Sequence, residues 1–225
     1  MLLTLICHRF VCALRKSNAS LARLRSYTVD SIGDGDFTIW QAARATSAAT
    51  SFFDPISIGK GYQAREFVDG ALGSNNPVDE VWNEAKEIWD GEGGGFEARL
   101  HCIVSIGTGN PGTVSVGDNP VTIFNTLKAI ATETEKTEQR FARDHNQLIG
   151  EHRYFRFNVD HGLENVGLEE HKRQGDIINA TLAYLNDQQL VKNRFRDCAL
   201  SLNDRGSLRA DLPGPAVGEN SAISM

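Results

Sequence analysis

The feature that most constrains the fold is a short apolar strand that runs directly into a glycine turn and then a helix. Residues 64–68 end in Phe-Val, and Asp69-Gly70 follows at once. Asn76 and Pro77 then predict a helix start, because asparagine is favoured at the N-cap and proline at the first helical position. One face of that helix is apolar, at Val78, Val81, Trp82, Ala85, Ile88 and Trp89. A carboxylate between a strand and a helix lies where α/β sheets place functional groups.

The rest of the chain predicts a further alternation of strands and helices. Strands are predicted within residues 1–14, 100–106 and 154–159, a loop over 15–36, and helices over 39–49, from 118 towards 148, and within 169–202. Thr38 is expected to cap the first helix, which Pro55 should end near residues 52–54. In the last helical region we expect four residues to point inward, namely Ile177, Ile178, Leu182 and Leu185. This alternation predicts an α/β layered fold with a mostly parallel sheet.

Composition excludes several classes of partner. The chain has 225 residues and a net charge of −6 without a basic block, which argues against nucleic acid or an anionic membrane as a partner. Four cysteines form no CxxC pair, and six histidines show no metal-ligand spacing, so we expect no metal, no cofactor and reduced thiols. The apolar start is too short for a signal sequence or a transmembrane span, so we expect an intracellular protein. One domain over 1–203 and a disordered tail over 204–225 are predicted.

Five ordered segments resemble the patatin-like phospholipases, specifically their fungal-type branch. They are Leu24-Arg-Ser-Tyr27, residues 39–49 with Phe52-Phe53-Asp54, Asp69-Gly70-Ala71 with Asn75-Asn76-Pro77, residues 104–109, and Tyr154-Phe-Arg-Phe-Asn-Val159. Together they cover residues 8–187. The resemblance implies a three-layer α/β fold that hydrolyses carboxylic esters of phospholipids or other glycerolipids, without metal or cofactor, in the cytoplasm or at the periphery of lipid surfaces.

The resemblance also implies a serine–aspartate dyad. In this family a serine in a Gly-x-Ser-x-Gly elbow attacks the ester, and the aspartate of the Asp-Gly-Ala motif takes the serine proton. Asp69 would be the proton acceptor, with Gly70 and Ala71 completing the motif. A positioned base of this kind is what a hydroxyl needs in order to act as a nucleophile.

The nucleophile itself is not found in these 225 residues. No Gly-x-Ser-x-Gly occurs, and the nearest approach, Ser115 in Thr113-Val-Ser-Val-Gly117, has a threonine at the first glycine position. In the family, the elbow and the glycine-rich oxyanion loop precede the segment that resembles this chain. We therefore expect a partial domain that lacks its N-terminal strands and its nucleophile elbow, is inactive alone, and self-associates through an exposed sheet edge.

Two alternatives remain open. The first is a non-catalytic lipid-binding or interaction protein. The second is a nucleotide-binding module, because residues 107–112 read Gly-Thr-Gly-Asn-Pro-Gly after a strand, as in the G-x-G-x-x-G fingerprint. Pro111 lies where the fingerprint needs a helix to begin, and no strand ends in an acidic residue about twenty positions later. A tight glycine-rich turn is therefore favoured for this segment.

Overall fold

The structure, a computed structural model, describes residues 7–29, 36–49, 52–90, 95–110, 121–164, 166 and 172–203. Four strands form the first sheet: β1 (Phe10–Arg15), β2 (Leu21–Arg25), β3 (Ile56–Ile58) and β4 (Arg65–Asp69). Their order is β2-β1-β4-β3, and every pairing in this sheet is antiparallel. β4 thus lies inside the sheet, and Asp69 stands at its end.

Helix α1 (Ile39–Thr46) covers this first sheet. Thr38 caps it as predicted, since its hydroxyl accepts from the Gln41 backbone while the Gln41 side chain accepts from the Thr38 backbone. The helix ends at Thr46, several residues before the predicted end, where Ser47 leaves helical geometry. Small side chains let helix and sheet approach closely in the core, which contains Ala13, Ala22, Leu24, Ala45, Ile58 and Phe67.

The second sheet has two strands, β5 (Ile103–Ile106) and β6 (Tyr154–Phe157), which pair in parallel. On one side lie α3 (Val78–Trp89), α4 (Phe96–Arg99), α5 (Val121–Asp144) and α6 (Asn146–Gly150). Their shared core contains Val78, Trp82, Phe96, Ile103, Phe141, Leu148 and Tyr154. A separate cluster, Val159, Tyr184 and Val191, joins β6 to α7 (Gln174–Asp187) and α8 (Gln189–Asn203).

Three sequence predictions about the fold need correction. The predicted loop over 15–36 contains strand β2. Its alternate residues Arg23 and Arg25 make the segment look polar in sequence, but their charges are paired with carboxylates elsewhere in the fold. Among the described strands, parallel pairing is limited to β5 and β6, so the predicted mostly parallel sheet is found only in part. The first sheet is antiparallel throughout, and a short turn at residues 16–20 makes β1 and β2 a hairpin. The helix predicted towards 148 breaks at His145, which separates α5 from α6.

The inward face predicted for the last helical region is also wrong in part. Ile177, Ile178 and Leu182 are 39%, 57% and 51% exposed. Ala180 and Tyr184, one helical turn apart, face the core instead, and Leu185 packs beside them. The segment is apolar on several faces, so its periodicity did not identify the buried one. No helix in the described part of the chain is long and apolar enough to cross a bilayer.

Candidate functional site

Asp69 is held in one orientation by its own turn. Its Oδ1 accepts the Ala71 backbone N–H at 2.8 Å, and its backbone N–H donates to the Ala48 carbonyl at 3.0 Å. Within the residues that the structure describes, no donor reaches Oδ2 and no cation lies within ion-pair distance of it. The half-buried carboxylate therefore keeps one oxygen free to accept a proton.

Gly70 is required by a close backbone contact. A Cβ at this position would lie 2.3 Å from the Cys12 carbonyl oxygen and 2.7 Å from its carbon. The same oxygen accepts the Thr46 hydroxyl at 2.6 Å. Strand β1, helix α1 and the turn after Asp69 thus meet at one peptide group, and only glycine fits there. This contact gives the glycine of the Asp-Gly-Ala motif a structural reason.

After Gly70 the chain forms helix α2 (Ala71–Ser74) and reaches two asparagines that tie it to the rest of the molecule. Asn75 donates to the Thr134 hydroxyl on α5 at 2.7 Å. Asn76, only 5% exposed, accepts the Ser105 hydroxyl of β5 at 3.2 Å. Asn76 was predicted to cap the next helix, but α3 begins at Val78 after Pro77 and has no side-chain cap. Asn76 instead serves a tertiary contact that local sequence does not reveal.

Helix α3 is fixed to the β1–β2 hairpin by an ionic network around Glu84. The Glu84 side chain is 3% exposed and receives the Arg25 guanidinium, the Tyr27 hydroxyl at 2.8 Å and Arg23 at 2.9 Å. Burial alone would raise the pKa of Glu84, but the hydrogen bonds from Arg25, Tyr27 and Arg23 hold it below its ordinary value. The network explains the Leu24-Arg-Ser-Tyr27 segment, since Arg25 and Tyr27 both bind one carboxylate.

The turn after β5 uses its backbone donors within the fold. Gly107, Gly109 and Asn110 donate their N–H groups to the Phe157 carbonyl, the Asn158 side chain and the Val159 carbonyl, at 2.8, 2.9 and 2.8 Å. A nucleotide phosphate would need such donors free. The arrangement therefore disfavours the nucleotide-binding alternative and supports a structural turn. Gly112 and Ser115 lie outside the described residues.

The described histidines are dispersed through the fold. His8 packs against Tyr27 and Trp89, and His145 packs against Trp82 and Phe141. No three His, Cys, Asp or Glu side chains of the described ranges form a group that could hold a metal ion. Of the histidines considered in the sequence, His171 lies outside these ranges.

A cleft of about 950 Å³ lies away from the Asp69 turn. Its lining comes from α8, from the turn between α6 and β6 and from the segment after α4, and it includes His101, His152 and Asp197. No residue of the segment 69–77 lines it. The cleft is therefore not part of the candidate site, which consists of Asp69 and its turn.

Comparison with known proteins points to one family. Residues 6–82 match the family model "Patatin-like phospholipase". The human and rat proteins named calcium-independent phospholipase A2-gamma are similar to this chain, at 30% identity over 148 residues and 31% over 195, covering 64% and 80% of the chain. Phospholipase A I of Arabidopsis thaliana is 30% identical over 129 residues, or 56% of the chain. These matches support the patatin-like family.

The patatin-like match includes the turn described above. The family model extends from β1 through Asp69 to Trp82, and the similarity to the rat protein covers most of the chain. The chain spans 17% and 23% of the length of the human and rat relatives and 9% of the Arabidopsis protein. The patatin-like relatives that are named phospholipases are thus much longer proteins.

Proposed function

We propose that this chain supplies the catalytic aspartate of a patatin-like lipid acyl hydrolase, of the fungal-type branch, that cleaves carboxylic esters of phospholipids or other glycerolipids. Asp69 is the proton acceptor of a Ser–Asp dyad, and Gly70 and Ala71 build its turn. The observation that carries the proposal is the Asp69 carboxylate, which is fixed through Oδ1 and free at Oδ2. The serine is supplied by sequence outside these 225 residues.

The proposed chemistry assigns one proton to Asp69. As the serine oxygen bonds to the ester carbonyl carbon, its proton passes to Asp69 Oδ2. Collapse of the tetrahedral intermediate breaks the bond to the alcohol, which leaves with that proton, and an acyl-serine remains. Water then attacks the acyl-serine, again losing a proton to Asp69, which returns it to the serine as the fatty acid departs.

The Ala71 hydrogen bond supports this role. A carboxylate that already accepts a backbone N–H keeps its orientation without help from substrate, so no ordering cost falls on the reaction step. The chain by itself carries no such nucleophile in its sequence, and removing a nucleophile from a dyad costs orders of magnitude in rate. We therefore propose that these 225 residues alone do not hydrolyse esters.

Sequencing the 5′ end of the transcript tests the proposal. We expect in-frame codons before Met1 that encode a glycine-rich loop and Gly-x-Ser-x-Gly. The chain extended by that segment should hydrolyse a short-chain nitrophenyl ester and react with a fluorophosphonate, whereas these 225 residues should do neither. A transcript with a stop codon in frame before Met1, or an Asp69-dependent rate from the 225 residues, would contradict it.

A second candidate is a non-catalytic lipid-binding or interaction protein. It is favoured by exposed apolar side chains on α7 and α8, namely Ile178, Leu182, Leu190 and Phe195. This protein would bind phosphatidylcholine vesicles as the 225-residue chain and would have no longer transcript. Sedimentation with vesicles separates it from a chain that binds lipid only in its extended form.

Self-association through the β5 edge is proposed for the 225-residue chain in isolation. Among the described strands β5 pairs only with β6, so its other edge is open, and its last residue Ile106 is 78% exposed. Open apolar strand edges promote pairing between chains. Sedimentation velocity should show species larger than a monomer. A monodisperse monomer that melts cooperatively would contradict this expectation.

A further inference from the structure

Arg156 lies at the carboxyl ends of the two parallel strands, where α/β sheets bind ligands. Its Nη1 donates to the Ser105 hydroxyl at 2.9 Å. In the part of the chain that the structure describes, no carboxylate lies within ion-pair distance of this half-buried guanidinium. Half-buried arginines usually have an anionic partner, because a guanidinium offers five donors and a fixed charge. Arg156 therefore has donors left for an external anion.

The glycine after β5 makes room for the Arg156 guanidinium. A Cβ on Gly107 would lie 2.6 Å from Arg156 Nη2, so the glycine provides the space that the guanidinium occupies. Arg194 on α8 donates to the Arg156 carbonyl at 3.2 Å and adds a second positive charge to the same end of β6. The position thus brings two guanidinium groups to the same end of β6.

Arg156 is linked to the turn that carries Asp69. The Ser105 hydroxyl accepts from Arg156 and donates to Asn76, whose side chain is 5% exposed and whose Nδ2 has no hydrogen-bond partner. Asn76 follows Asp69 after the short helix α2, a four-residue turn that is about 6 Å long at the usual helical rise. One chain of polar contacts therefore joins the free guanidinium to the proposed catalytic turn.

The acidic side chain of Glu138 lies within electrostatic reach of this position. Burial and the neighbouring Glu135 raise the pKa of Glu138, while Arg156 and Arg194 lower it without reversing the shift. Glu138 is thus within electrostatic reach of Arg156 but does not form an ion pair with it. An anion bound at Arg156 would be repelled by the ionised form of Glu138. Removing the Glu138 charge is therefore a second way to test anion binding at Arg156.

We propose that Arg156 binds the phosphate group of a phospholipid and so selects phospholipids over neutral glycerolipids as ligands of the Asp69 site. This inference rests on the proposed function for the location of the ester, but the binding that it predicts needs no serine. A planar guanidinium can donate two parallel hydrogen bonds to a phosphate, a geometry that lysine cannot reproduce.

The test measures binding to the 225-residue chain by titration calorimetry. The ligands are monomeric dihexanoylphosphatidylcholine, the matched neutral dihexanoylglycerol, and hexanoate, which represents a free carboxylate. Wild type should prefer the phospholipid. Arg156→Gln should weaken phospholipid binding about tenfold to a hundredfold and leave dihexanoylglycerol unchanged, since a hydrogen-bonded charge is removed.

Matched variants separate binding from folding. Arg156→Lys keeps the charge and should retain part of the preference, and Glu138→Gln should tighten phospholipid binding. Arg143→Gln is the control, because Arg143 is exposed on α5 and bonds its neighbour Asp144. In wild type, added salt should weaken binding of the phospholipid but not of the neutral lipid. The salt series uses wild type alone, so it tests the charge dependence of phospholipid binding even if Arg156→Gln fails to fold.

The proposal is overturned if wild type binds the two lipids equally or binds neither, if a folded Arg156→Gln keeps the preference, or if only hexanoate binding depends on Arg156. Failure of the proposed function would appear separately, as an absent upstream serine or an absent hydrolytic rate. That outcome leaves the binding measurement intact.

Discussion

Strands β4 and β5 are each followed directly by a glycine, but the polar groups in the two turns are used differently. After β4, the Asp69 carboxylate uses one oxygen within its own turn and leaves the other open. After β5, the amides of Gly107, Gly109 and Asn110 are all bound to β6 and the residues that follow it. Glycine after a strand therefore does not by itself identify a functional turn, and the two turns differ in the polar groups that they leave unused.

The glycines also differ in what they avoid. Gly70 approaches a backbone carbonyl that belongs to the middle of a sheet, whereas Gly107 approaches the ends of the Asn158 and Arg156 side chains. A backbone obstacle cannot move without disturbing strand pairing, while a side chain can rotate. The first turn should thus be much less tolerant of change than the second.

The largest expected effect is on catalysis. In a chain extended by the proposed serine segment, Asp69→Asn should lower kcat/KM by about 10²–10⁴-fold, because the proposed proton acceptor is lost. The melting temperature should change little, since the asparagine oxygen can still accept the Ala71 N–H. Asp187→Asn, at an exposed position on α7, is the matched control and should keep full activity.

The next largest effect is on stability. Gly70→Ala should destabilise the fold by about 3 kcal/mol, because its Cβ collides with the Cys12 peptide. Thermal melting of the 225-residue chain should show a decrease of roughly 6–12 °C for a domain of this size. A melting temperature equal to that of wild type would mean that the strand and turn are not packed as described.

Glu84→Gln should cost about 2–3 kcal/mol near neutral pH, because two half-buried arginines lose their most buried carboxylate partner, although Glu80 and Glu87 remain. Since the folded pKa of Glu84 is lowered, its contribution is present above the unfolded value and is lost as pH falls through the folded value. The difference from wild type should therefore shrink below about pH 4. Urea unfolding at pH 7 and pH 3.5 measures both values, and a pH-independent difference would argue against the network.

The smallest effect sharpens the comparison between the turns. Gly107→Ala should cost about 1 kcal/mol, because the Asn158 and Arg156 side chains can shift away from the new methyl group. Urea unfolding of the two alanine variants side by side tests this order. If Gly107→Ala proved as damaging as Gly70→Ala, the second turn would be as rigid as the first.

The features of the fold that were predicted correctly from the sequence are those that depend on residues close together in the chain. The capped start of α1 at Thr38, the strand that ends at Asp69 and the two parallel strands follow from local patterns. Most of the predicted apolar face of α3 is also buried or half-buried, but Val81 is 41% exposed. Local capping rules failed at Asn76, because its partner Ser105 is distant in sequence. The same distance hid the role of Arg23 and Arg25, whose carboxylate partners lie on α3.

Two further features could not be predicted from the sequence: which face of α7 is buried, and whether the strands of the first sheet pair in parallel or antiparallel. Apolar residues on several faces of α7 leave the choice of buried face to packing against Val159 and Val191. Strand pairing in the first sheet depends on which strands are adjacent, and β2, the hairpin partner of β1, lies in the predicted loop. Asp69 could nevertheless be placed correctly at a strand end, because that needs only one strand.

The position of β1 between its two neighbours has a kinetic consequence. Leu14 pairs with Leu21 across a tight turn on one side and with Val68, far along the chain, on the other. Short loops close within about a microsecond, whereas distant pairings form late because their closure entropy must be overcome first. The β1–β2 hairpin should therefore form early, and β4 should pair with β1 later. Asp69, the proposed proton acceptor, would reach its observed geometry only when β4 pairs with β1, so partly folded chains would contain a hairpin but no assembled Asp69 turn.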